Sequence, residues 1–287
     1  MDEAPVLLDS EKIARNLKLI LSYDGSEFAG WQVQPERATI QGTLATAIGR
    51  LTGENVLPQG SGRTDSGVHA LAQVATFQTA SPIPTENWIK ALNDILPASI
   101  RVLEVTEAAP EFHARKSARA KTYRYRMYRG AICPPFLARY VWHYPFPLEE
   151  VAMAQAAPLV VGEHDFTSFA AVDPERVERM AAAETHHHRG HRGSQGEAQS
   201  QESNVRTIFS SAWTREGDEL VYTVRGSGFL HHMVRNLVGT FLLVGKRTLT
   251  PEDFRRVLAA RDRSAAGPTA PASGLYLVNV EYAALGT

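Results

Sequence analysis

The sequence predicts an α/β protein built in two parts, and three observations carry that expectation. Strand-like and helix-like segments alternate through roughly the first hundred residues as strand, helix, strand, helix, strand. The chain has 287 residues, too many for one ordinary core and enough for two. Hydrophobic residues make up 44%, which supports globular folding and argues against general disorder.

Each element carries its own signals. Asn16–Tyr23 reads as a strand, and DGSEFAGWQVQP comes after it as a turn and loop. Thr39 has the character of an N-cap, Ile40, Leu44, Ile48 and Leu51 recur at helical spacing, and Gly53 ends that helix. A glycine-rich loop then leads into a strand over Val68–Phe77. A second helix fits Glu86–Leu96, with Thr85 as cap, Trp88, Leu92, Ile95 and Leu96 inward and Pro97 as the stop. Ile100–Thr106 reads as the next strand.

The second part is expected to begin near Phe112, giving domains over residues 1–111 and 112–287. Lys121–Arg129 alternates as a strand, with Tyr123, Tyr125 and Met127 on one side and Arg124, Arg126 and Tyr128 on the other. Leu148–Val161 holds a helix interrupted near Pro158. Asn204–Arg215 and Glu219–Arg225 read as a strand pair around Glu216-Gly217-Asp218. Phe229–Val244 reads as a helix with Phe229, Met233, Leu237, Phe241 and Val244 on one stripe. Thr250-Pro251-Glu252-Asp253 is a helix start: a cap, proline at the first position, then acids that suit the dipole. Leu275–Tyr282 closes the chain as a strand.

Composition excludes several classes. There is no apolar run of about eighteen residues, the length a membrane helix needs. The N-terminal MDEAPVLLDSEKIARN lacks the basic-then-apolar order of a signal peptide. Cys133 is the lone cysteine, so it has no internal disulfide partner and cannot alone build a metal site. A cytoplasmic protein is expected. Ala181–Ser203 is polar and nearly free of large apolar residues, and reads as a mobile insertion. Its His186, His187, His188 and His191 have no acidic or cysteine partners in a rigid frame, so no physiological metal is expected there.

Net charge is −1, yet the charge is segregated. Phe112 to Arg129, FHARKSARAKTYRYRMYR, carries seven Lys/Arg and no Asp/Glu. Such a segment attracts a polyanion, or else solvates an edge strand. Tyr123 and Tyr125 lie within it, and aromatics between cations suit stacking on unpaired bases beside phosphate contacts.

Asp65 is the candidate for chemistry. In a Gly/Ser/Thr loop an aspartate is ordinarily a turn former. Arg63 stands two residues earlier, and a basic partner holds a carboxylate ionised and oriented, as a nucleophile needs. No Gly-x-Ser-x-Gly, P-loop or His-Glu-x-x-His competes with it. His231-His232 stands with Arg235 and Asn236 on the second apolar helix, and an arginine buried there needs a carboxylate, for which a loop aspartate of the other half would serve. Two classes remain: an RNA-acting enzyme using a carboxylate, and a noncatalytic RNA-binding module. Asp65 discriminates, because binding a polyanion needs no aspartate at the heart of the loop.

Gly62-Arg63-Thr64-Asp65-Ser66-Gly67-Val68-His69-Ala70 resembles the catalytic motif of the tRNA pseudouridine synthase A family. Tyr23-Asp24-Gly25 through Gly30-Trp31-Gln32, Phe112-His113-Ala114-Arg115 and Lys121-Thr122-Tyr123-Arg124-Tyr125 resemble its other segments. So do Asp165-Phe166-Thr167-Ser168-Phe169, Phe229 to Asn236 and Gly274-Leu275-Tyr276-Leu277, all in the family's order. The resemblance implies an α/β (α+β) pseudouridine synthase fold: two similar α/β domains with mainly antiparallel sheets flanking a basic RNA-binding cleft. It implies a homodimer that isomerises uridine to pseudouridine at nucleotides 38, 39 and 40 of the tRNA anticodon stem-loop, with no cofactor and no metal. By the same resemblance Asp65 is the nucleophile, Arg63 flips the base, Tyr123 stacks on the uracil and can act as a base, and Arg235 pairs with Asp65. Leu275 forms an apolar wall, and Phe112, His113, Ala114, Arg115 and Lys116 join Tyr123 and Leu275 in binding substrate. Attack at ribose carbon 1′ and at uracil carbon 6 both remain open to Asp65. The chain departs from the family pattern at Ser66, where alanine is frequent, at the acidic DPERVER of Asp173–Arg179, at the His-rich insertion and in the short N-terminal extension.

Overall fold

A computed structural model describes residues 14–171 and 203–283. The chain groups into two compact units, one of Met1–Ser66 and Ala70–Ala118, the other of Gly67–His69 and Arg119–Thr287. The class is the mixed α/β one expected, and the strand pairs are mostly antiparallel. The His-rich insertion up to residue 202, the DPERVER segment and the N-terminal extension lie outside the described residues.

The first unit contains β1 (Arg15–Tyr23), α1 (Ile40–Thr52), β2 (Gln59–Gly60), β3 (His69–Thr79, of which His69 groups with the second unit), α2 (Thr85–Ile95) and β4 (Ile100–Ala108). Its strands run in the order β4-β1-β3, with β2 on β3. β1 is the central strand, antiparallel to both neighbours. The pleat puts Leu17, Leu19, Leu21 and Tyr23 on one buried face, as period-2 alternation requires. Ile40, Leu44 and Ile48 of α1 and Trp88 and Leu92 of α2 are buried too. α1 starts and ends as expected: Thr39 Oγ1 accepts from the Gly42 N–H at 3.2 Å, and the Gly53 N–H donates to Gly49 O. α2 differs. Thr85 is already helical, Pro84 occupies the cap, and the Thr85 hydroxyl donates to Glu86 rather than capping. Pro84, at φ −59°, supplies the entry geometry a capping side chain would otherwise help set.

The second unit contains β5 (Ala118–Tyr128), β6 (Trp142–His143), α3 (Glu150–Ala156), a tight turn at Ala157–Val160, and β7 (Gly162–Asp165). It continues through β8 (Val205–Glu216), β9 (Glu219–Gly226), α4 (Met233–Gly245), α5 (Pro251–Ala260) and β10 (Leu275–Tyr282). The strand order is β10-β5-β9-β8-β7, with β6 parallel beside the end of β5. Tyr123, Tyr125 and Met127 face one side and are buried, as the alternation predicts. The core is aromatic: Tyr222 lies 5.2 Å from Phe241, and Phe241 stacks on Phe254 at 4.5 Å with the rings 3° from parallel. Thr250 and Asp253 close a reciprocal capping box at the start of α5. The helix expected over Leu148–Val161 is confined to α3, because the chain tightens around Pro158 into a 3₁₀ segment. α4 begins four residues later than the apolar stripe predicts. His232 sits in the left-handed region at φ 59°, which stops the helix from extending back to Phe229. Among the described residues no helix is long and apolar enough to cross a membrane.

Candidate active site

The loop before β3 is built by alternation. Ser61 and Thr64 are buried, Arg63 is exposed, and Asp65 is half-buried. Each buried residue is tied to the first unit's framework. The Ser61 N–H donates to Val74 O at 2.7 Å and its hydroxyl to Gln73 Oε1 at 2.6 Å. Gln73 Nε2 donates to Gly62 O at 2.8 Å. The Trp31 N–H donates to Thr64 O at 3.0 Å, and Thr64 Oγ1 shares a 2.8 Å hydrogen bond with the Tyr23 hydroxyl. The Ser66 hydroxyl donates to Phe28 O at 3.2 Å. Asp65 is thus flanked on both sides by residues whose polar groups are held, which is what a precisely aimed side chain on a loop requires.

Two glycines make room for this. Gly30 has φ +96°, and a β-carbon there would lie 2.6 Å from Thr64 O. Gly60 lies against the Trp31 ring, with 2.5 Å to the nearest ring atom from a β-carbon built on it. Burial pushes the Tyr23 phenol far above its ordinary range, against smaller opposing contributions from its bonds to Thr64 and Gln73. Tyr23 therefore stays protonated and keeps a hydroxyl to donate. The motif's tail belongs to the other unit. There Val68 is buried, and His69 stacks on Tyr276 at 4.8 Å.

The FHARK segment, Phe112 to Lys116, also lies in the first unit, as a tight turn. His113 Nδ1 accepts from the Arg115 N–H at 3.1 Å and from the Lys116 N–H at 3.5 Å. The Ser117 N–H returns to His113 O, and the Ser117 hydroxyl accepts the His113 N–H. Ala114 is buried, its N–H on Thr76 Oγ1, and Asn16 Nδ2 donates to Phe112 O. Arg115 and Lys116 are left exposed on this braced turn, where they can meet a polyanion.

In the second unit Tyr123 is buried on β5, edge-on to Phe229 at 4.9 Å. Phe229, displaced from the helix stripe, thus walls the tyrosine instead. Arg235 stands on the first turn of α4. Its Nε donates to Ala270 O at 2.7 Å, and the Ala270 N–H donates back to Arg235 O at 3.1 Å. One nitrogen of the guanidinium orients the group against the 266–271 strap, and the terminal nitrogens form the fork that suits a carboxylate. The strap is held by Arg263 on Gly267 O, by Thr269 on Asn236 Oδ1 and by the Tyr125 hydroxyl on Pro271 O. Burial raises the Tyr125 phenol well above its usual range, and the Arg235 charge offsets part of that. Leu275 is buried at the start of β10, directly after Gly274, which lies against the Tyr125 ring.

Known proteins match this chain over most of its length. A family model described as tRNA pseudouridine synthase matches residues 19–115 and 185–283. The chain belongs to the tRNA pseudouridine synthase family. Its relatives include proteins named tRNA pseudouridine synthase A. The one from Solibacter usitatus is 48% identical over 268 residues, covering 93% of this chain and 100% of that one. Those from Moorella thermoacetica and Brevibacillus brevis are 46% and 43% identical over the same length, covering 93% of this chain and 99% and 100% of theirs. Turning uridine into pseudouridine is an isomerisation, so this family member is an isomerase.

Several residues that build the family's loop here escape sequence reasoning. Gln73 shapes the path of Arg63 and Asp65, and Arg263 braces the strap under Arg235; Tyr23, Gly30 and Asn236, which help in the same places, stand in the sequence only as members of motifs, with no role of their own. The signal for Gln73 is a lone amide inside the apolar run of β3, where a buried polar group must have partners.

Proposed function

We propose that the chain isomerises uridine to pseudouridine at nucleotides 38, 39 and 40 of the tRNA anticodon stem-loop. The glycosidic bond from uracil N1 to ribose carbon 1′ breaks and a bond from carbon 5 forms. The proton on carbon 5 is lost, and N1 takes one up. Asp65 is the nucleophile. Arg63, exposed beside it, fills the gap a flipped base leaves, at a cost of unstacking of a few kcal/mol that a planar guanidinium helps offset. Tyr123 stacks on the uracil, Leu275 adds apolar wall, and Arg235 pairs with Asp65. Phe112 to Lys116 meets the RNA backbone through Arg115 and Lys116. The reaction needs neither cofactor nor metal. The enzyme acts in the cytoplasm with its substrate, as a homodimer.

The observation that carries this reading is the motif loop itself. Its frame is held at Ser61, Gly62, Thr64 and Ser66, and its two chemically able side chains, Arg63 and Asp65, alternate with those fixed points. A module that only bound RNA would gain nothing from so constrained an aspartate. The test is tritium release from tRNA labelled at uridine carbon 5, with metal-free wild type and Asp65→Asn, both checked for tRNA binding. Release by wild type alone is expected. Absence of release by either, with binding intact, makes the chain a noncatalytic RNA-binding relative.

A further inference from the structure

Tyr23 lies at the end of β1, 42 residues before Asp65 in the chain, and is buried. Its hydroxyl is 2.8 Å from Thr64 Oγ1. Behind it, Gln73 Nε2 points at the same hydroxyl at 3.5 Å, while donating to Gly62 O at 2.8 Å. Gly62 O can only accept, so the nitrogen end of the Gln73 amide must face it. Oε1 then accepts from Ser61. Gln73 thus donates toward Tyr23, and the Tyr23 and Thr64 hydroxyls share a bond in which either can donate. Burial keeps the phenol protonated, so the bond to Thr64 is one between two neutral hydroxyls.

We propose that Tyr23, backed by Gln73, is a positioning residue for catalysis: its hydroxyl orients Thr64 and thereby sets the side-chain directions of Arg63 and Asp65. The inference rests on the reading of Asp65 as nucleophile. Thr64 stands between the two working residues. Rotation of its peptide units re-aims both at once, one toward the flipped base and one toward the reacting carbon. The backbone bond from Trp31 to Thr64 O limits translation of this residue. A single hydrogen bond leaves rotation about its own axis, and the Tyr23 bond to the side chain of the same residue removes that freedom. The working residues contribute none of these restraints, so positioning and chemistry are separable by mutation.

The experiment uses Tyr23→Phe, Thr64→Val and the double variant in the full chain, with Asp65→Asn and Thr64→Ser as controls. Three quantities are read: single-turnover tritium release from carbon-5-labelled tRNA, the tRNA Kd, and the urea unfolding midpoint. Each single variant is expected to release tritium about five- to tenfold more slowly, the scale of one hydrogen bond. The double variant should be no slower than the slower single one, because both lose the same bond. Thr64→Ser keeps the hydroxyl and should release at the wild-type rate. Kd should stay within about twofold in all of them, since no group touching RNA is removed. A wild-type rate in Tyr23→Phe overturns the proposal, as does a double variant slowed by the product of the two single effects. So does a rate loss that disappears once the unfolded fraction is corrected for. Asp65→Asn separates the two levels: if it releases tritium, the nucleophile reading fails, whereas an inactive Asp65→Asn beside an unimpaired Tyr23→Phe overturns the positioning role alone.

Discussion

Replacing Gly30 by alanine probes how closely the strand-to-helix connection and the Asp65 loop approach each other. A methyl at Gly30 would lie 2.6 Å from Thr64 O, and 3.1 Å from both Asp65 C and Ser66 N. The first contact falls about 0.8 Å short of ordinary van der Waals separation. All three neighbours are backbone, so no flexible side chain can turn aside. The new residue would also have to adopt φ +96°, a region costing an L side chain about 1–3 kcal/mol. Overpacking adds about 1–3 kcal/mol more if the loop does not move. If it does move, Asp65 is carried with it by several tenths of an ångström, and the Trp31-to-Thr64 hydrogen bond lengthens. A misplacement approaching 1 Å costs about a hundredfold in rate. Gly30→Ala should therefore lower single-turnover tritium release at least about thirtyfold and lower stability by about 2–6 kcal/mol in urea unfolding. The tRNA Kd should change little, because Arg63, Arg115 and Lys116 remain. A variant with the wild-type rate and the wild-type urea midpoint would refute the claim that this close approach sets the position of Asp65.

Three further outcomes rest on named contacts. Arg235→Lys keeps the charge but loses the Nε bond to Ala270 O and the planar fork, so activity should drop at least about tenfold, measured by tritium release, while charge alone fails to restore it. Thr250→Ala removes one half of the capping box of α5 and should cost about 1 kcal/mol in urea unfolding with the release rate unchanged. The Thr167 hydroxyl and N–H hold the Asp165 carboxyl below its ordinary range, with Arg261 adding a little. Because the folded state holds the lower value, that stabilisation is present above the ordinary aspartate value of about 4 and is lost as pH falls through the folded one. Asp165→Asn should thus be less stable than wild type at pH about 7, with the gap closing under acid in parallel unfolding curves.

The features legible in the sequence are those that local chemistry decides. Thr250, Pro251 and Asp253 announce α5 because a capping box needs only its own four residues. Tyr123, Tyr125 and Met127 announce the buried side of β5 because pleat period is local too. The start of α4 escapes for the opposite reason. Phe229 continues the apolar spacing, but the helix is stopped at His232 by a backbone angle that no spacing rule detects. Cap preference likewise favours Thr85, whereas Pro84 supplies the entry angle through its ring. The same divide runs through the site. Arg63 and Asp65 are conspicuous beside glycines. Gln73 looks like an ordinary strand residue and Tyr23 only like the head of a motif; burial and partners show that both hold the loop.

The manner in which the loop is held explains why its restraints are polar. A segment reading Gly-Ser-Gly-Arg-Thr-Asp-Ser-Gly has no large apolar side chain to pack, so the hydrophobic effect cannot locate it within a fraction of an ångström. Hydrogen bonds are directional and act at one atom. Ser61, Gly62, Thr64 and Ser66 each offer such an atom, and Gln73, Tyr23, Trp31 and Phe28 receive them from an apolar framework that is itself well packed. Each bond adds little to stability, about 1 kcal/mol, but the buried partners would be costly to leave unmet. Displacing the loop therefore exposes several unsatisfied groups together. That steep penalty, spread over residues that do no chemistry, lets Asp65 stand half-buried and ready while the glycines around it contribute no rigidity of their own.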